Sequence, residues 1–354
     1  MNKYVKRYCI DAMSGMAQGL FASLLIGTII KTLGQQLLRL GDNAVFQFLI
    51  SAGNFACDSH VVGAAMAIGI GSAMGVSALV LFSLAAVGSA ANVTGGAGGP
   101  LAVLIIAIVA AEAGRLVSKK TKVDIIVTPA VTILAGFLLT LLTAKYIGIA
   151  ASSVGKFLVW ATKLHPFWMG ILVSLVVGIA LTLPISSAAI CAAFGLTGLA
   201  GGAAVAGCCA QMVGFAVLSF RENRWGGILS QGLGTSMLQM PNIIKNPKVW
   251  LPACITSVIT GPIATCLFKM EMNGAAVSSG MGTCGLVGQI GVITGWFEPS
   301  EVAIGHGAVA ISPTVFDWLG LVLICFVLPA VLCWALGLLF RKIGWIKDGD
   351  LKLD

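Results

Sequence analysis

Ionisable side chains are scarce in this chain, so those that interrupt its apolar stretches are the first to weigh for chemistry. Asp58 and His60 stand two apart in Asn54–His60 (NFACDSH), at the edge of the charge-free run Ser59–Ala111. Glu298, Glu301 and His306 share the segment Gly295–His306 (GWFEPSEVAIGH), and Asp317 opens the last apolar stretch. A charge held near the middle of a bilayer costs at least about 2.5 kcal/mol, so such a residue has a job or sits at the water interface. A carboxylate beside a neutral imidazole can bind hydroxyl groups, relay a proton or hold a cation. Asn54, one turn before Asp58, adds an amide to that cluster. For Asp58 and His60 the plain alternative is a loop in water. For Glu298, Gly295 before it and Pro299 after it mark a break inside an apolar region. His306 lies between two glycines and stands evenly between the two uses.

Other polar residues have simpler explanations. His165, beside Pro166 and near Lys163 and Trp168, reads as interfacial. Glu112 and Arg115, three apart at a helix end, read as a local ion pair. Gln211, Gln231, Gln239, Asn242 and Gln289 lie near Gly-rich breaks, where interhelical hydrogen bonding is the ordinary use. Gln239 is kept as a candidate solute contact. Ser187, after Pro184 and Ser186, either caps a new helix or meets a ligand at freed carbonyls.

The elements that position these groups are set by composition. Hydrophobic residues make up 58% and charged residues 10% of the 354 positions, against about 25% charged in a soluble domain. Ala12–Ile30, Ile125–Ala144, Val249–Phe268 and Trp318–Phe340 are each charge-free and close to the roughly 20 residues a membrane helix needs. Ser59–Ala111 and Leu164–Phe220 are charge-free for much longer and must fold back. The length rule gives about eight to eleven crossings, an all-α polytopic membrane protein. Val45–Cys57 is too short to span easily and reads as a re-entrant or half helix. Glycine clusters at Asn92–Pro100, Gly195–Gly202, Gly232–Gln239 and Gly280–Gly288. Such runs predict broken helices lining a cavity, since non-helical backbone at membrane depth must be satisfied by protein or water.

A shift of 126 places Lys119–Val123 (KKTKV) on Lys245–Val249 (KNPKV) and Gly148–Ser153 (GIAASS) on Gly274–Ser279 (GAAVSS), with nine identities over the 35 positions from Lys119. The reading is one membrane domain over residues 1–354 with related halves near 1–185 and 186–354. The net charge of +8 is gathered at span ends: Lys3/Lys6/Arg7, Arg115–Lys122, Arg221/Arg224, Lys245/Lys248 and Arg341–Lys352. That pattern follows the positive-inside rule, puts both termini in the cytoplasm and gives no reason to expect nucleic acid. Whether the halves run parallel or inverted is open on charge alone. The N-terminal apolar stretch is too long for a cleavable signal. Most of the ten cysteines lie inside apolar runs without C-x-x-C spacing, so packing is expected and no metal or cofactor. No phosphate loop, G-x-S-x-G or H-E-x-x-H motif is present, so no catalytic activity is expected from this chain alone.

Several segments taken together resemble a known family. They are Leu183–Ala188 (LPISSA), Gly232–Gln239 (GLGTSMLQ), Pro241–Pro247 (PNIIKNP), Gly280–Gln289 (GMGTCGLVGQ) and Gly344–Leu351 (GWIKDGDL). As a set they resemble the membrane (EIIC) subunits of the bacterial phosphoenolpyruvate:sugar phosphotransferase system. The similarity is to the stand-alone branch that includes perfringolysin-regulator-like membrane proteins. In the wider superfamily a G-I-T-E-P-like segment carries a glutamate that holds a substrate hydroxyl. Gly295–Pro299 is similar to it, with Trp296-Phe297 in place of Ile-Thr, which implies that role for Glu298. A partner histidine is implied as well, and His60 or His306 could match it. The resemblance also implies a homodimer, inverted repeats, re-entrant hairpins and a location in the bacterial plasma membrane. The chain holds no phosphocysteine or phosphohistidine domain, so EIIA/EIIB-type phosphocarriers would act in trans.

The expectation is therefore a permease for a small polar, sugar-like solute, with Glu298, His306, Asp58, His60, Asn54, Gln239 and Ser187 as binding candidates. A ligand-binding membrane sensor and an ion-coupled transporter without phosphorylation are the alternatives.

Overall fold

The computed structural model describes every residue except 1–3, 5, 40, 42 and 354; Lys3 of the first basic cluster lies outside the described residues. The described chain is helical, and its one isolated β-bridge pairs Gly198 with Met272. It divides into two compact units, Met1–Ala151 and Ser152–Asp354.

In the first unit α1 (Lys6–Leu38) is long enough to serve two partners. Its first half packs on α3 (Ser59–Ala73) and its second half on α2 (Ala44–Ala56). Helices α2 and α3 meet at a 56° bend, a broken span or re-entrant loop, as the short segment around Val45–Cys57 predicts. α4 (Ala78–Gly95) and α5 (Gly99–Val117) pack against each other across a single turn at Gly96–Gly98, so this charge-free stretch does fold back. Gly96 turns there with φ of +52°, a conformation that side chains resist. α6 (Asp124–Ala161) packs on α4 and α5, and its residues to Ala151 belong to this unit. Small residues allow the close approach: a Cβ on Gly63 of α3 would strike the Gly88 carbonyl of α4. Ile125, Ile126, Leu134, Leu138, Leu141 and Leu142 of α6 stay exposed, as suits a lipid-facing surface. Glu112 of α5 pairs with Arg115 at 2.9 Å, the expected local pair, and with Arg7 of α1 at 3.2 Å.

The second unit is built around α9 (Gly198–Leu218), which is buried nearly all round. α7 (Pro166–Thr182), α12 (Pro247–Leu267) and α15 (Val315–Lys342) pack on it. The remaining helices are short: α8 (Ser187–Ala193), α10 (Phe220–Gly227), α11 (Met240–Lys245), α13 (Val287–Phe297) and α14 (Glu301–Gly305). Ser174 of α7 donates to the Ser257 carbonyl of α12 at 2.7 Å, the polar glue of membrane helices. Two stretches leave the long-helix path, one around Leu183–Thr197 and one around Phe268–Leu286. They satisfy each other's backbone. Gly198 and Met272 exchange both N–H···O bonds at 3.0 Å, Ser187 donates to Gly280 at 2.7 Å, and Ser279 donates to Leu196 at 2.6 Å.

Among the described residues, six helices are long and apolar enough to cross a membrane, or seven if the bent pair is one span. The fold-back at Gly96 and the shorter apolar helices Pro166–Thr182 and Cys284–Phe297 carry the other stretches behind the sequence count of eight to eleven.

Candidate functional site

In the first unit the polar residues gather at the α2–α3 bend. Asp58 caps α3: its Oδ1 accepts from the His60 N–H at 2.8 Å, which accounts for an acid at this position without any ligand. The His60 ring Nδ1 lies 2.7 Å from the Ser89 hydroxyl of α4, and Asn92 of α4 donates to the Ser59 carbonyl at 2.8 Å. The bend is thus stitched to α4 by side chains from both sides. Asn54, on the last turn of α2, is exposed, as are Asp58 and His60.

In the second unit Glu298 follows α13, and its N–H closes that helix on the Thr294 carbonyl at 2.7 Å. Pro299 cannot continue the helix, and the chain is caught at once by Ser300. The Ser300 N–H donates to Asn273 at 2.9 Å, its hydroxyl donates to Gly274 at 2.8 Å, and the same oxygen caps α14. The Glu298 carboxylate is left exposed on a backbone fixed from behind. His306, at the other end of α14, has Nδ1 3.0 Å from the Thr197 hydroxyl, one residue before the Gly198–Met272 bridge. Glu298 and His306 therefore bracket one short helix tied to both non-helical stretches.

Ser187 is buried and committed to the Gly280 carbonyl, so it joins the two stretches. Gln239 is fully buried at 0% exposure and wholly engaged. It donates to Gln231 at 2.9 Å and to the Leu351 carbonyl at 3.0 Å, and accepts from Asn242 at 2.8 Å. With Asn223 and Asn242 it holds residues 351–353 of the C-terminal tail. His165 caps α7, accepting from the Phe167 N–H at 3.4 Å, in line with an end-of-helix position.

Apart from Asp317, one cluster escaped the reading of the sequence. Phe268, Lys269, Met270, Glu271, Asn273, Trp296, Val309, Ile311 and Asp317 line a cavity of ≈ 240 Å³. None of the seven binding candidates lines it. The stretch Lys269–Asn273 (KMEMN), polar at every second position directly after a charge-free span, was the available signal.

Broken helices, backbone satisfied by protein and polar residues at the breaks define a multi-pass integral membrane protein of the transporter type. The family model for the phosphotransferase system, EIIC, matches residues 10–353, and the chain belongs to that family. In general terms it is a sugar-type membrane permease of that system, whose bacterial members reside in the plasma membrane. Comparisons with curated proteins and with solved structures returned no match.

Proposed function

We propose that the chain binds a small sugar-like solute at Glu298 and moves it by alternating access, with phosphoryl groups supplied by separate carrier proteins. The observation that carries this reading is the break at Glu298: an exposed carboxylate between α13 and α14, held by Ser300 on Asn273 and Gly274. A carboxylate is acceptor-only and suits hydroxyl donors. His306 at the far end of the same helix is the partner imidazole, and the Asp58/His60 bend with Asn54 is a second polar station in the first unit. A homodimer of inverted repeats is part of the same proposal. Support for the repeat comes from Gly148 and Gly274, equivalent under the shift of 126, each of which faces a backbone carbonyl (Gly95 and Gly291) that a Cβ would strike.

The test is uptake of a panel of radiolabelled sugars by proteoliposomes, with and without added phosphocarriers. Flux that is lost in Glu298→Gln with the fold intact is the expected result. Binding without flux in any condition would instead identify a sensor, and full transport by Glu298→Gln would remove the site.

A further inference from the structure

Two of the long apolar helices, α9 and α15, end side by side at a second cavity, of ≈ 170 Å³. Leu218, Phe220, Trp334 and Leu338 give it an apolar wall, and Arg221 and Arg341 bring charge to it. The helices approach closely there because Gly337 has no side chain; a Cβ would strike Leu218. The two guanidiniums differ. Arg341 is spent: Nη1 donates to Asp348 at 2.8 Å, and Nη2 donates to Glu222 at 2.8 Å and to the Leu218 carbonyl at 3.3 Å. Arg221 is exposed and has no hydrogen-bond or ion-pair partner among the described residues. Arg224, exposed as well, sets a second unneutralised guanidinium 5.9 Å from the centre of the Phe220 ring. Its backbone turns with φ of +51° and breaks α10 at that point. Three arginines against Glu222 and Asp348 leave the mouth of the cavity positive. Exposed Trp225 packs edge-on to Phe220 at 5.7 Å, the kind of aromatic that marks a membrane–water interface.

We infer that this cavity seats the headgroup of an anionic phospholipid. Its phosphate lies on Arg221 and Arg224, and its acyl chains run along Trp334, Leu338 and the exposed Val331 of α15. A free guanidinium beside an apolar wall matches a ligand that is anionic at one end and apolar at the other. Arginine suits the phosphate because its planar fork donates two parallel hydrogen bonds. At ≈ 170 Å³ the space is smaller than the roughly 300 Å³ of drug-sized pockets, so it takes the headgroup and leaves the chains outside. The charge rule puts this end of α9 and α15 at the cytoplasmic leaflet, and basic pockets between membrane helices on that side bind anionic headgroups. A soluble phosphate ester would gain the charge and leave the wall uncovered. The cavity shares no residue with the Glu298 break, and its lipid is independent of the solute proposed there.

The experiment mixes the full-length protein, purified in dodecyl maltoside, with equal amounts of dioleoylphosphatidylglycerol and dioleoylphosphatidylcholine, and counts the retained lipid by native mass spectrometry. Retention of the glycerol lipid should exceed that of the choline lipid by at least about fivefold, the order expected of one arginine at an anionic surface. The double variant Arg221→Gln/Arg224→Gln changes two exposed positions and should bring the two lipids close to parity. Lys119→Gln/Lys122→Gln, which strips charge from a basic loop of the first unit, should leave the preference intact. Glycerol 3-phosphate at millimolar concentration should not displace the lipid. No preference in the native chain, a preference that survives the arginine variant, or an equal loss in the lysine variant would overturn the inference. Displacement by glycerol 3-phosphate would identify a site for soluble phosphate esters and overturn it equally.

Discussion

His306 Nδ1 and the Thr197 hydroxyl lie 3.0 Å apart, joining the end of α14 to the residue that leads into α9. The contact spans 109 positions of sequence, and it anchors a five-residue helix that could not hold its place alone. Thr197→Val removes the hydroxyl at nearly constant shape. A single hydrogen bond is worth about 0.5–1.5 kcal/mol net, so global stability should change little. Amide exchange over residues 301–306 should quicken, and solute affinity should drop by up to about tenfold, the factor that 1.4 kcal/mol represents. Unchanged exchange in this segment would show that α14 is held by other contacts.

Asp58 offers a separation of two roles. As an N-cap its loss in Asp58→Ala should cost about 0.5–2 kcal/mol, whereas Asn caps about as well as Asp, so Asp58→Asn should stay close to wild type. Reversible unfolding in mixed detergent micelles measures both. Uptake that falls in Asp58→Asn with stability preserved would reveal a role for the charge beyond capping.

The Arg341–Glu222 pair is the most enclosed ion pair found among the described residues, at 2.8 Å with side-chain exposures of 11% and 7%. Arg341→Ala leaves Glu222 buried without its cation and should destabilise by about 3–5 kcal/mol. Adding Glu222→Gln to that variant should recover a substantial part. Equal stability of the single and double variants would show that water reaches the site.

Gln239, Asn223 and Asn242 grip backbone atoms of Leu351, Lys352 and Leu353. Removing residues 351–354 should therefore destabilise the second unit, and Gln239→Ala on the truncated chain should cost less than on the full chain. A double-mutant cycle reads that difference, about 0.5–3 kcal/mol for groups in one network. Strict additivity would show that the tail lies on the surface without contributing.

Much of the architecture was readable because its causes are local. The break after Phe297 is announced by Pro299, the fold-back at Gly96 by a glycine run, and the α2–α3 bend by an apolar segment too short to span. Gln239 shows where local reasoning stops. Its neighbours are Gly-rich and point to a ligand-lining loop, yet its acceptor on Leu351 lies 112 positions away, and no spacing rule reaches that far. Ser187 is alike: its partner Gly280 is 93 positions distant. Asn273 was passed over for another reason. As an uncharged residue at the end of a span it carries no obvious electrostatic penalty, and only burial with an unmade Oδ1 makes it conspicuous.

The reciprocal bridge between Gly198 and Met272 has a mechanical corollary. With both amides exchanged there, and hydroxyl rivets at Ser187 and Ser279, the two irregular loops are welded into a single keel. Spectroscopic labels placed at the exposed Ala193 and Glu271 should keep one fixed separation through every stage of a turnover, giving an internal ruler against which any moving helix can be gauged.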